Sequence, residues 1–246
     1  MKFKAALKYQ LSGMKKPLIV YYLIIYCLCI LMFVQHAVMR NAGGDFSSSG
    51  MEMASLIFLF VCGLNSFKST FYMFLANGVS RRTMFKSFVS MIAPVAAGMA
   101  VIDSLNGLLL SSFGNYESLF HSMYALRYQA GTTPAEFMEG MLWMFAFYMF
   151  ITMAGFLITT LYYRMNKAVK LLVSIGVPVF FFMVLPYIDM TLFTGQIYST
   201  IWYIFKLAGG FLHGDNPYIA VLSCIISFAV FGGLSYLAMR KATVKK

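Results

Sequence analysis

Apolar residues in this chain come in long stretches separated by short polar clusters, the pattern of helices that are apolar on all sides. A helix needs about 20 apolar residues to cross a bilayer core. The runs 17–39, 87–112, 140–163, 171–188 and 216–239 meet or approach that length. A sixth run, 53–76, is interrupted by Lys68 but flanked by Leu56-Ile-Phe-Leu-Phe-Val and Phe71-Tyr-Met-Phe-Leu. The pattern predicts an all-α polytopic membrane protein: six transmembrane helices in a single membrane domain over 1–246. The first run is longer than a signal-peptide core and lacks a small-residue cleavage pattern, so it reads as a retained helix.

Ahead of it, in 1–16, Phe3, Leu7, Leu11 and Met14 recur at helical spacing while Lys4, Lys8 and Lys15 take other faces. This spacing predicts an amphipathic N-terminal interfacial helix. The simpler reading is a charged leader that orients the first span.

Charge sets the orientation. Lys and Arg collect on the cytoplasmic side of membrane proteins. With both termini inside, the cytoplasmic segments hold Lys2, Lys4, Lys8, Lys15, Lys16, Arg81, Arg82, Lys86, Arg164, Lys167, Lys170, Arg240, Lys241, Lys245 and Lys246, fifteen of the 19 basic residues. All eight acidic residues (Asp45, Glu52, Asp103, Glu117, Glu136, Glu139, Asp189 and Asp215) fall in or toward the outer segments. A seventh span over 190–212 would export the basic C-terminal tail and would have to contain Lys206, Gly209 and Gly210. Segment 189–215 is therefore expected to be external or re-entrant, packed on protein.

Composition agrees: 61% of the 246 residues are hydrophobic and 11% charged, against about 25% charged in soluble domains. The formal charge of +11 flanks apolar runs, which excludes a nucleic-acid partner as its reason. Cys27, Cys29, Cys62 and Cys224 lie inside apolar runs and read as buried thiols. His36, His121 and His213 show no metal-ligand spacing. No metal site, catalytic residue or cofactor of its own is expected. The chain has no G-x-x-x-x-G-K-(Ser/Thr) motif, so ATP-driven work would need a separate ATPase chain.

Between the second and third spans, 77–86, Asn77-Gly78 can end one helix and Ser80 can cap the next, predicting a short basic helix at the cytoplasmic face. Gly78-Val79-Ser80-Arg81-Arg82, followed by Phe85, resembles the G-(aliphatic)-(Ser/Thr)-Arg-(Arg/Lys) loop of ABC-2 type permeases of Gram-positive bacteria. An amphipathic N-terminal helix, six spans and external structure between spans five and six fit the same family over essentially the whole chain. The resemblance implies that Gly78, Val79, Ser80, Arg81, Arg82 and Phe85 dock on a cytoplasmic ATP-binding cassette subunit, which binds ATP and Mg2+. It implies a homodimer, or a heterodimer with a related permease, in the bacterial cytoplasmic membrane. Small systems of this kind export antimicrobial or amphipathic peptides, including those like phenol-soluble modulins. Bacteriocin immunity and drug or lipid export are alternatives of the same class. A non-transporting scaffold or sensor is an alternative of another.

Inside the membrane, Lys68 lies nine residues from the inner end of its span, roughly 13 Å. It either snorkels to the headgroups or, with Asn65 one turn away, lines a translocation path. Asp103 and Asn106 read as a hydrated outer rim. Pro178, Pro186 and Pro94 are expected to permit kinks, and the 25 Phe and 20 Met suit an adaptable apolar cavity.

Overall fold

The computed structural model describes residues 2–41, 47–113, 115–128, 134–212, 214–240 and 242. Among the residues singled out above, Asp45, His213, Lys241, Lys245 and Lys246 lie outside them, as does the side chain of Lys2. Helices α1 (Lys2–Asn41), α2 (Glu52–Asn65), α3 (Lys68–Ala76), α4 (Arg81–Phe113), α5 (Leu119–Tyr124) and α6 (Pro134–Arg164) form the first two thirds of the fold. They are followed by α7 (Lys167–Val179), a π-helical turn (Phe180–Val184), α8 (Leu185–Leu192), α9 (Gln196–Ala208) and α10 (Pro217–Arg240). Two short strands, β1 (Ser47–Ser49) and β2 (Asn115–Glu117), pair in parallel, with Ser48 opposite Tyr116. Among the described residues, six segments are long and apolar enough to cross a membrane: Phe3–Arg40, Glu52–Ala76, Arg81–Ser112, Pro134–Arg164, Lys167–Leu192 and Pro217–Arg240. The fold is all-α and polytopic, that of a multi-pass membrane protein with six spans.

Helix α6 is the axis of the bundle. Its buried positions extend from Glu136 to Tyr163 and include Trp143, Tyr148, Met153 and Phe156, and α2, α4 and α10 pack around it. The α2–α6 approach depends on two glycines. A Cβ on Gly63 would lie 2.3 Å from the Thr152 carbonyl oxygen, and one on Gly155 would lie 2.4 Å from that of Phe60. Small residues let helix backbones meet where lipid offers no hydrophobic drive to association. Thr159 Oγ1 then donates to the Leu64 carbonyl at 2.5 Å.

The second span differs from the single helix expected over 53–76. It breaks after Asn65, where the Ser66 N–H bonds Gly63 O, three residues back, and the Ser66 hydroxyl donates to the Cys62 carbonyl at 2.5 Å. Such back-bonding competes with the regular helical ladder. The break turns Phe67 fully into the core, stacked on Phe71 and edge-on to Phe156 and Tyr163.

Helix α1 is continuous for 40 residues, about 60 Å, or twice a bilayer core. No break separates 1–16 from the first span. Leu7, Leu11, Met14, Leu18, Tyr21 and Tyr22 pack against the core, and the face is completed by buried Ala6, Gln10 and Ile25. Phe3 is exposed.

The fifth span stands apart, with no residue of α7 or the π-helical turn buried. That turn lies between Pro178 and Pro186, which lack the N–H groups a regular helix would use. Among the described residues, segment 189–215 holds the end of α8, a turn at 193–195 and helix α9, whose Tyr198 hydroxyl donates back to the Phe181 carbonyl at 3.1 Å. Buried Asp189 accepts from the N–H groups of Ile197 at 2.8 Å and Tyr198 at 3.1 Å. At the far end of α9, Tyr124 of α5 donates to the Gly209 carbonyl at 2.8 Å.

Candidate functional sites at the two ends of the bundle

At the end where α1 begins and α10 finishes, the turn from α3 to α4 is tighter than the separate basic helix the sequence suggests. Gly78 has φ +63°, the Val79 N–H returns to Phe74 O at 2.8 Å, and Ser80 Oγ accepts from the Thr83 N–H at 3.2 Å. Ser80 thus caps α4 directly, and residues 81–86 form its first turns.

Within the motif the roles divide. Arg81 donates to the Arg240 carbonyl, the last residue of α10, at 2.5 Å. Its guanidinium lies 5.9 Å from the Phe71 ring centroid. Phe85 turns inward, 5.4 Å from the Tyr236 ring and against Gly232. Gly78, Ser80, Arg82 and Lys86 are exposed, and Val79 is partly buried on the core. The motif is therefore half anchor and half presented surface.

The N-terminal stretch of α1 packs beside this turn, with Tyr9 and Phe74 rings 5.7 Å apart. Asn65 and Lys68 lie on either side of the α2–α3 break, and both are exposed. The Asn65 amide donates to the Val61 carbonyl at 3.0 Å. Between α1 and α4 runs an apolar groove of about 920 Å³, lined by residues such as Leu18, Leu23, Ile30, Val95 and Met99, with Lys15 on its wall.

The opposite end corrects the reading of Asp103. It is 7% exposed, not a hydrated rim, and accepts from Tyr148 at 2.6 Å and Tyr22 at 3.1 Å. Tyr21 and Ser55 hydroxyls meet beside it at 2.6 Å. All four thiols are free, but their burial departs from expectation: Cys27 is exposed and Cys29, Cys62 and Cys224 are half-buried.

Sequence reasoning missed a cavity of about 280 Å³ at this end, lined by Glu52, Gly107, Phe120, His121, Glu136 and Met144 among others. Glu52 is 3% exposed, and its Oε2 accepts from Tyr116 Oη at 2.9 Å and the Leu119 N–H at 3.3 Å. Burial and the neighbouring Glu52 carboxylate push the Tyr116 hydroxyl above its ordinary pKa. Glu52 Oε1 is buried with no hydrogen-bond partner among the described residues. His121 Nδ1 lies 2.6 Å from Glu136 Oε1. One signal was available: Glu52 shares the i, i+3, i+4, i+7 face of α2 with Ser55, Leu56 and Leu59, all buried, so a carboxylate at a span end belonged to the inward face.

This arrangement places different chemistry at the two ends of the bundle. It offers a basic exposed turn at one end and buried carboxylates around a cavity at the other. No protein-family model, curated protein or solved structure matches this chain.

Proposed function

We propose that the chain is the permease subunit of an ATP-driven exporter that moves hydrophobic or amphipathic peptides, antimicrobial or cytolytic in character, out of a bacterial cytoplasm. The observation that carries this reading is the division of labour in the 78–85 turn. Arg81 ties the turn to the end of α10, while Arg82 and Lys86 are left exposed for a partner. A cytoplasmic ATP-binding cassette subunit docked there could pull on two spans at once through that tie. The partner binds ATP and Mg2+, and this chain supplies the path.

Two further features support the reading. The α1–α4 groove suits an apolar chain entering sideways from the bilayer. An exposed Lys68 beside an exposed Asn65, within a span, favours a second permease subunit or a hydrated path over bare lipid, since a charge facing hydrocarbon is costly. In this reading both termini are cytoplasmic, consistent with the basic residues at that end.

The test is to purify the chain together with the ATP-binding cassette protein encoded nearest its gene and measure peptide-stimulated ATP hydrolysis in liposomes. A stable complex whose hydrolysis rises with an amphipathic peptide is expected. A chain that co-purifies with no ATPase, and leaves hydrolysis unchanged on reconstitution, would remove the proposal.

A further inference from the structure

We infer that the groove between α1 and α4 holds one acyl chain of an anionic phospholipid, with the lipid phosphate on Lys15. The lipid is held with or without an ATPase, so the inference goes beyond the exporter reading.

The first argument is the shape of the groove. Val95 and Met99 of α4, both buried, form its floor, and its α1 wall runs from Leu11 through Leu18 to Ile30. Pro94 and Gly98 line it on the α4 side, and a Cβ on Gly98 would meet nothing within 4 Å. From Leu18 to Ile30 the wall rises about 18 Å along the helix, close to the roughly 15 Å of hydrocarbon in one leaflet. A volume of about 920 Å³ is near the top of the range for ligand pockets, roughly 300–1,000 Å³, and suits a long flexible chain better than a compact ligand.

The second argument is charge. Among the residues that line the groove Lys15 alone is charged, and it lies at the start of the apolar run 17–39. That puts the ammonium at the foot of the groove, where a headgroup would sit above its chain. Among the described residues Lys15 has no ion-pair partner, and residues 2–41 contain no Asp or Glu. Its three donors and positive charge match the oxygens of a phosphate, and lysines next to a membrane span attract anionic lipid.

The third argument decides between a lipid and a second copy of the chain. On the side where α1 begins, the other span ends carry Arg81, Arg82, Lys86, Arg164, Lys167 and Arg240, with no Asp or Glu among the described residues there. A helix of a second copy, inserted with the same orientation, would bring one of these cations against Lys15. A phosphate brings the opposite charge.

The experiment is native mass spectrometry of the full chain released from nanodiscs made of equal parts phosphatidylglycerol and phosphatidylcholine, with the retained lipid identified after release. The first lipid retained is expected to be phosphatidylglycerol in roughly fivefold excess, about what one lysine contributes beside anionic lipid, and Lys15→Gln should bring the ratio close to one. Gly98→Leu keeps the lysine and fills the groove, so it must lower phosphatidylglycerol retention by a similar factor. Lys167→Gln, at the same end but outside the groove, should change nothing. Lys15 and Gly98 are both exposed, and should one of these variants not fold, the other decides. Equal retention of the two lipids, an unchanged ratio in folded Lys15→Gln, undiminished retention in folded Gly98→Leu, an equal loss in Lys167→Gln, or a dimer that carries no lipid overturns the inference. The readout needs no ATPase, so the two proposals fail independently.

Discussion

Gly63 and Gly155 face each other across α2 and α6, so close that a methyl group on either would lie within 2.4 Å of a carbonyl oxygen on the opposite helix. The contact is backbone on backbone, which no rotamer change can relieve. Gly63→Ala or Gly155→Ala is expected to push the helices apart, to break the Thr159–Leu64 hydrogen bond, and to cost about 1–3 kcal/mol as overpacking does. Melting of the detergent-solubilised protein measures this. Gly98, inside α4, whose Cβ would meet nothing within 4 Å, is the control, and Gly98→Ala should not lower the midpoint, since alanine favours helix over glycine.

Arg81 and Arg82 are adjacent and carry the same charge, yet they should behave differently. Arg81→Ala removes the bond to the Arg240 carbonyl and the contact with Phe71 and is expected to lower thermal stability. Arg82→Ala should leave stability unchanged while weakening ATPase binding and stimulation. If both substitutions lower stability equally and neither affects the ATPase, the division of the turn into anchor and docking surface is wrong.

The Asp103 carboxylate depends on two phenols. Tyr148→Phe deletes the shorter, buried bond to Oδ2 and is expected to cost about 1–3 kcal/mol, the range for stranding a buried acceptor. Tyr22→Phe removes the longer bond and should cost less. The two substitutions share an acceptor, so the double variant should depart from additivity, which a double-mutant cycle on unfolding midpoints reads directly.

Asp189 holds the start of α9 by accepting from two of its backbone N–H groups. Asp189→Ala should loosen that turn at a cost of about 0.5–2 kcal/mol, as for other helix caps. Limited trypsin digestion should then cut faster after Lys206 in α9. An unchanged cleavage rate would mean that the tie to Tyr124 holds α9 by itself.

Tyr124 sits on the short helix α5, with its hydroxyl bonded to Gly209 O. Burial pushes its pKa up from 10.0 to about 12. The folded state therefore keeps this proton when the unfolded chain has lost it. Its contribution to stability is present below pH 10 and declines as pH rises toward 12. Tyr124→Phe should flatten that part of the alkaline stability curve relative to the parent protein, measured by unfolding between pH 9 and 12.

Much of the architecture was legible in the chain alone. Crossing a bilayer demands backbone bonds satisfied within each segment, so runs such as 140–163 and 216–239 had to be helices, and six of them were countable. The cap at Ser80 was equally local, because a hydroxyl next to a glycine turn acts over three residues. The hydropathy signal did not show where a helix would stop being regular. Its average over 53–76 hides the break at Ser66 that splits the span and turns Phe67 inward.

What only the tertiary structure decided is which polar groups meet. Glu52 and Tyr116 are 64 residues apart in sequence, and Tyr22 and Asp103 are 81 apart. A pattern read along one helix carries no information about the side chain facing it from another. The sequence by itself determined that this chain crosses a membrane, because that depends on the sum of its side chains in lipid. Helix packing decided that its acidic end encloses a cavity, because a carboxylate becomes a site only when its neighbours close around it.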